Sequence, residues 1–218
     1  MIVLGINAYH PDAAAALMKD ASSFGPQRRS GSTAFQVSID ALEKGKLEFG
    51  RVEAKMDRSV YSSLIKKLED EVRSFYGNRL VTFAIFGSYA RNQMRSDSDL
   101  DILIIAEDLP KGRMRRAAEF LEIEKKISFV KEELAEQSLH PYFSPVFKTK
   151  EEAARGALLF LDMTDEIEIL FDRDGFFRNV LDRLKKRLKE LGSKRIWKGK
   201  MWYWVLKPDS KPGEVISL

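Results

Sequence analysis

The hydrophobic positions of this 218-residue chain repeat in two ways, which predict its helices and strands. Steps of three and four residues predict amphipathic helices over residues 59–76, 114–134 and 176–191. Dense apolar runs predict strands over residues 80–86, 99–106, 141–148 and 167–171. The aromatic run Trp202-Tyr203-Trp204 predicts one more strand or hairpin arm, with the tryptophans in the core. This succession predicts an α+β (α/β) fold in which helices flank a sheet.

Two local signals refine this picture. Pro145 cannot donate a backbone hydrogen bond, so residues 141–148 are predicted to form an edge strand or a bulge. The sequence Thr149-Lys-Glu-Glu152 is a capping box, which predicts a helix from there through Leu161. We divide the chain into a poorly defined N-terminal extension (1–57), a core (58–171), and a basic helix with an aromatic strand packed on that core (172–218).

The predicted strand over residues 80–86 ends at Gly87-Ser88, and this turn is a candidate phosphate site. Glycine leaves the backbone open to a close ligand. The N–H groups freed where a short helix starts attract anions, and the Ser88 hydroxyl adds a ligand. Arg91 lies one turn further on, within reach of the same phosphates. Its alternative role is that of a surface arginine paired with a nearby acid.

Asp99 and Asp101 lie two residues apart at the start of the next predicted strand, so both carboxylates leave the same face of the sheet. Two adjacent acids repel each other unless a cation lies between them. Hard oxygen ligands favour Mg²⁺ over zinc. Asp97 is predicted to stay solvated, because it stands at the frayed beginning of the strand.

The segments Gly87-Ser-Tyr-Ala-Arg91 and Ser98-Asp99-Leu-Asp101-Ile closely resemble the signature of the polymerase-beta-like nucleotidyltransferase superfamily, in particular its small stand-alone prokaryotic members. The resemblance implies a nucleotidyltransferase-like mixed sheet. It also implies that Gly87 and Ser88 bind the β- and γ-phosphates of a nucleoside triphosphate while Asp99 and Asp101 hold its magnesium. Asn92 replaces the usual glycine, but asparagine tolerates a left-handed backbone.

The superfamily commonly supplies a third carboxylate from a following strand. Glu168, between two isoleucines, fits that description, and Asp162 is the alternative. Element order, however, makes 141–148 the equivalent strand, and that stretch contains no acid. Glu168 as an ordinary outward-facing strand residue therefore stays open, and so does weak or absent activity.

Composition narrows the functional classes. The chain has no cysteine and two histidines, which excludes disulfides, cysteine nucleophiles and histidine-rich metal sites. Neither a membrane-spanning run nor a leader is evident, so a cytoplasmic protein is expected. Residues 172–218 carry 13 basic and 6 acidic side chains, which favours an anionic partner.

The leading hypothesis is a metal-dependent enzyme that moves a nucleoside monophosphate from a triphosphate to an acceptor hydroxyl. The first alternative is an antitoxin-like or regulatory protein that acts beside a helical partner, with weak or no catalysis. The second is an RNA-binding module that uses the basic section.

Overall fold

The computed structural model describes residues 3–4, 58–95, 98–137, 139–199, 201–211 and 214–218. Its strands are β1 (Val3–Leu4), β2 (Leu80–Phe86), β3 (Leu100–Ala106), β4 (Phe143–Lys148), β5 (Ile167–Asp172), β6 (Lys194–Lys198) and β7 (Met201–Val205). A central mixed sheet has the spatial order β4-β3-β2-β5. In it β2 is antiparallel to both β3 and β5, and β4 runs parallel to β3. The α+β fold class predicted above is therefore confirmed.

The helices are α1 (Ser62–Tyr76), α2 (Gly87–Ala90), α3 (Arg113–Lys126), α4 (Ser128–Glu136), α5 (Lys150–Ala154), α6 (Phe160–Met163) and α7 (Phe176–Glu190). Helices α1 and α7 match the two strongest periodic segments, and β4 is an edge strand, as Pro145 indicated. The Thr149–Glu152 capping box is present at the start of α5.

Two helix predictions were wrong in extent. The segment 114–134 is two helices, because the backbone leaves helical geometry at Ile127, whose side chain is fully buried there. The helix predicted from the capping box through Leu161 stops at Ala154, and Gly156 has a φ of +81°. The chain resumes a helix only at α6, because a left-handed glycine ends α5, and a capping box marks only where a helix begins.

Both faces of the central sheet are covered, which explains why its inner strands are apolar at almost every position. One face packs under α1, α3 and α4, and its strand residues include Phe83, Ile85, Ile102 and Ile104. The other face packs under α6, α7 and the tryptophans of β7, and its strand residues include Ala84, Phe86, Leu103 and Ile105. We call these the helical face and the tryptophan face.

A second, antiparallel sheet has the order β1-β7-β6. Trp202 and Trp204 are 8% and 7% exposed, which confirms that they belong to the core, whereas Trp197 is 51% exposed. Apart from β1, the predicted N-terminal extension lies outside the described residues. Among the described helices, none combines the length and the apolar character needed to cross a bilayer.

Candidate functional site

The turn after β2 lies directly against the carboxylate of Asp101. Phe86, the last residue of β2, pairs with Asp101 at the start of β3, so the register brings Gly87 beside that aspartate. Gly87 has a φ of +70°, and a Cβ placed on it would stand 2.0 Å from Asp101 Oδ2. Only glycine fits both the left-handed backbone and this approach. The two motif halves are therefore in contact.

The residues after Gly87 form one compact turn. Arg91 N donates a hydrogen bond to Gly87 O (3.2 Å), and Gln93 N donates to Ser88 O (2.9 Å). Asn92 has a φ of +55°, so it adopts the left-handed backbone that its side chain tolerates. The turn therefore forms with Asn92 at the position where the superfamily usually has glycine.

The surroundings of the Asp101 carboxyl disfavour its ionised form. Burial and the nearby charge of Asp99 raise its pKa to about 6, against the weaker opposing effects of Arg91 and of a hydrogen bond from Ser144. A divalent cation would remove this repulsion, and two carboxylates offer the hard oxygen ligands that Mg²⁺ prefers. Asp99 is exposed, so the pair opens to solvent. The residues fit a magnesium ion.

The strand equivalent to the superfamily's third one offers a hydroxyl in place of an acid. Ser144 on β4 pairs with Asp101 across the parallel ladder. Across the described residues, no three acidic or histidine side chains are grouped as a metal site. Asp97 lies outside those residues. The donor set that the structure presents is therefore Asp99, Asp101 and the neighbouring Ser144.

Glu168 does not complete this set. It pairs with Ile85, whose side chain lies on the helical face, whereas Asp101 pairs with Phe86 on the tryptophan face. Glu168 also forms an ion pair with Arg58. Glu168 is therefore a strand residue turned away from the site, which is the alternative that the sequence analysis left open.

Asp162, the alternative third carboxylate, has structural partners in the second sheet. Its Oδ1 accepts hydrogen bonds from the indole nitrogens of Trp202 (2.9 Å) and Trp204 (2.8 Å). The carboxylate therefore satisfies the two buried tryptophans of β7 and fixes the second sheet to α6.

Sequence reasoning missed two residues that surround Arg91. Glu166 accepts hydrogen bonds from Arg91 (3.3 Å) and from Arg195 of β6 (2.5 Å), so one carboxylate joins two guanidinium groups. The Arg91 guanidinium also lies 5.0 Å from the ring centre of Trp202. The possible pairing of Arg91 with an acid is thus real. Its partners are distant in sequence, so no local signal could have identified them.

Comparison with known proteins agrees with the motif. The family model described as a nucleotidyltransferase domain matches residues 65–159, which include the Gly87 turn and both aspartates. The matched segment, which is less than half of the chain, is similar to nucleotidyltransferase domains. The superfamily and the enzyme class predicted from the motif are confirmed. The match ends before β5, α7 and the β6–β7 hairpin.

A Methanocaldococcus jannaschii protein, provisionally named a protein adenylyltransferase, is 27% identical over 149 residues. That alignment spans 67% of this chain and 96% of the relative. Among solved structures, a toxin–antitoxin with AMP-PNP aligns with 17% identity and a TM-score of 0.37, covering 63% of this chain and 94% of that one. A protein from Shewanella oneidensis aligns with 16% identity and a TM-score of 0.36, covering 60% and 92%.

Proposed function

We propose that this protein transfers a nucleoside monophosphate from a magnesium-bound nucleoside triphosphate to an acceptor hydroxyl. The observation that carries the proposal is the contact between the Gly87 backbone and the Asp101 carboxylate. It puts a turn suited to phosphate within a few ångströms of an acid pair suited to a cation.

The protein's own groups have distinct roles in this reaction. Asp99 and Asp101 would hold Mg²⁺, which neutralises the triphosphate and stabilises the leaving pyrophosphate. Gly87 lets the phosphates approach the backbone, and Ser88 and Arg91 supply a hydroxyl and a guanidinium for phosphate oxygens. Ser144 donates a hydrogen bond to Asp101 and so steadies the carboxylate in its ionised form.

Two finer points of the proposal rest on the Methanocaldococcus jannaschii relative. Its name specifies adenylyl transfer and a protein acceptor, and the alignment spans nearly all of that relative. We therefore propose ATP as the donor and a protein hydroxyl as the acceptor in this chain as well.

The test combines binding with transfer. Titration calorimetry with ATP, GTP, CTP and UTP in the presence of Mg²⁺ should give binding that is tightest for ATP. ATP labelled at its α-phosphate should then leave label on protein. The double variant Asp99→Asn with Asp101→Asn should abolish the labelling. A wild-type protein that binds none of the four nucleotides would remove the proposal.

The second candidate is a binding protein with weak or no catalysis that acts beside a helical partner. Ser144 favours it, because a hydroxyl stands beside Asp101 on the strand from which the superfamily commonly supplies an acid. This candidate predicts magnesium-dependent nucleotide binding without label transfer, and recovery of one small helical protein with the chain from its native cells. Brisk transfer by the isolated chain would decide against it.

A further inference from the structure

Two guanidinium groups from distant parts of the chain meet beside the Gly87 turn. Arg91 follows that turn on the matched domain, and Arg195 comes from β6, outside the domain. Glu166 binds both groups, and the side chains of Arg91 and Arg195 are each only 20% exposed. One carboxylate offsets one of the two positive charges. The cluster therefore keeps a net positive charge next to the site.

The cluster also retains capacity to bind a further anion. Among the described residues, nothing accepts a hydrogen bond from the buried Nε of Arg91. Each guanidinium has five N–H donors, so one shared carboxylate leaves several of them available for other acceptors. A phosphate group, with several oxygens, is the acceptor that two converging guanidinium groups suit best.

The β6–β7 hairpin adds an aromatic surface beside these charges. Trp197 is 51% exposed, and its ring centre lies 4.9 Å from that of Trp202. The Arg195 guanidinium lies 5.4 Å from the Trp197 ring and 5.7 Å from the Trp202 ring. A stacked guanidinium keeps its planar edge of donors available while its faces are covered. Arg195 is thus fixed in place with its donors usable.

We propose that Arg195 is a second phosphate ligand of the nucleotide site, so that the β6–β7 hairpin forms one wall of that site. The inference rests on the proposed function and extends it beyond the matched domain. On binding, phosphate oxygens replace Glu166 as acceptors for one guanidinium, and Glu166 keeps the other in position. The ligand class is a polyphosphate, as in a nucleoside triphosphate.

The test compares two substitutions that remove the same charge. Arg195→Gln should weaken the binding of tripolyphosphate and of ATP with Mg²⁺ about tenfold, which corresponds to about 1.4 kcal/mol. Arg183→Gln, on the exposed surface of α7, should change either affinity by about twofold or less. Equal affinities in the two variants, or a wild-type affinity in Arg195→Gln, would overturn the inference.

A second measurement serves in case Arg195→Gln does not fold. Because Trp197 is close to Arg195, tripolyphosphate should change the tryptophan fluorescence of the wild-type protein. Trp197→Phe should reduce that change, and Trp202, whose ring lies 5.7 Å from the Arg195 guanidinium, should account for the remainder. Adenosine alone should produce none of it. A signal that Trp197→Phe leaves undiminished, or no signal with saturating tripolyphosphate, counts against the inference.

The two proposals can fail separately. If label transfer depends on Asp99 and Asp101 while Arg195→Gln binds tripolyphosphate as the wild type does, the role of Arg195 falls and the proposed function stands. If polyphosphate binding depends on Arg195 but no nucleotide is ever transferred, the proposed function falls and the role of Arg195 as a phosphate ligand stands.

Discussion

Two carboxylates near opposite ends of the central sheet experience opposite electrostatic environments. Asp101 lies at the beginning of β3, and burial together with Asp99 raises its pKa to about 6. Glu152 lies just beyond the far end of β4, the strand that runs parallel to β3. Two hydrogen bonds from Arg116 (2.7 and 2.9 Å) are the main reason that its pKa falls to about 2, and the Thr149 amide adds a third at 3.0 Å.

The difference separates structural acids from ligand-binding acids. The fold stabilises the negative charge of Glu152, and in return Glu152 caps α5 and fixes Arg116. The fold resists the negative charge of Asp101, and the proposed function assigns the stabilisation of this charge to a bound cation. Glu168 and Glu166, with their arginine partners, belong with Glu152. We propose that Asp99 and Asp101, crowded together at the Gly87 turn, are ligand-binding acids.

Asp101→Asn should have the largest effect, a loss of nucleotide transfer of about 10²–10³-fold, since it removes a charge that acts in the transition state. The same substitution should leave the melting temperature unchanged or raise it, because the neutral amide relieves the repulsion with Asp99. Labelled-ATP transfer and calorimetric unfolding measure the two effects. A variant that melts well below the wild type would contradict the contrast with Glu152.

Gly87→Ala should rank second and affect folding as well as transfer. The new Cβ would lie 2.0 Å from Asp101 Oδ2, and the left-handed backbone costs a further 1–2 kcal/mol, roughly, for an L-residue. We expect a loss of about 2–3 kcal/mol in the free energy of unfolding, measured with urea.

Gly192→Ala is the matched control for that change. Gly192 has a φ of +66°, close to that of Gly87, but a Cβ there meets nothing within 4 Å. It should therefore report the backbone term alone, about 1 kcal/mol, with nucleotide transfer unaffected. Equal losses in the free energy of unfolding of the two variants would mean that the new contact with Asp101 does not destabilise the Gly87 variant.

Glu152→Gln should give the converse of Asp101→Asn. The amide cannot replace the paired carboxylate of Arg116, so we expect a loss of about 2 kcal/mol in the free energy of unfolding. Transfer at a temperature where the variant stays folded should be unchanged, because Glu152 lies at the other end of the sheet. A large loss of transfer in the folded variant would mean that the two ends of the central sheet are energetically coupled.

The pH dependence of stability should differ in sign for the two acids. The pKa of Glu152 is lowered from 4.5 to about 2, so its contribution is present above pH 4.5 and disappears as the pH falls toward 2. The pKa of Asp101 is raised from 3.8 to about 6, so the folded protein binds that proton more tightly and loses stability as the pH rises through this range.

Each contribution should amount to about 1–2 kcal/mol after allowance for water at the sheet's ends. Urea unfolding of the metal-free protein between about pH 3 and 8 measures both. Near neutral pH, Asp101→Asn should be more stable than the wild type. At acid pH, Glu152→Gln should become as stable as the wild type, because Glu152 is then protonated and no longer contributes. Difference curves that slope the same way would contradict the comparison.

How far the sequence predicts this molecule depends on the distance over which each feature is encoded. Gly87 follows β2, and Asp99 and Asp101 lie at the start of its antiparallel neighbour β3, so the short spacing predicted that the two motif halves meet. The face of Glu168 depends on the register of β5 against β2, more than 80 residues earlier in the chain. The bridge from Arg91 through Glu166 to Arg195 joins three separate elements, and no local pattern marks it.

Ser144→Ala should have the smallest effect, and it tests whether Ser144 assists transfer through Asp101. Ser144 lowers the pKa of Asp101 through its hydrogen bond, and losing that bond should raise the pKa further. In an enzyme that uses Asp101 ionised, transfer near neutral pH should fall by about tenfold or less, with its acid limb moved to higher pH. Ser144→Thr keeps the hydroxyl and should restore the wild-type profile. A flat response to both substitutions would leave Ser144 without a role in transfer.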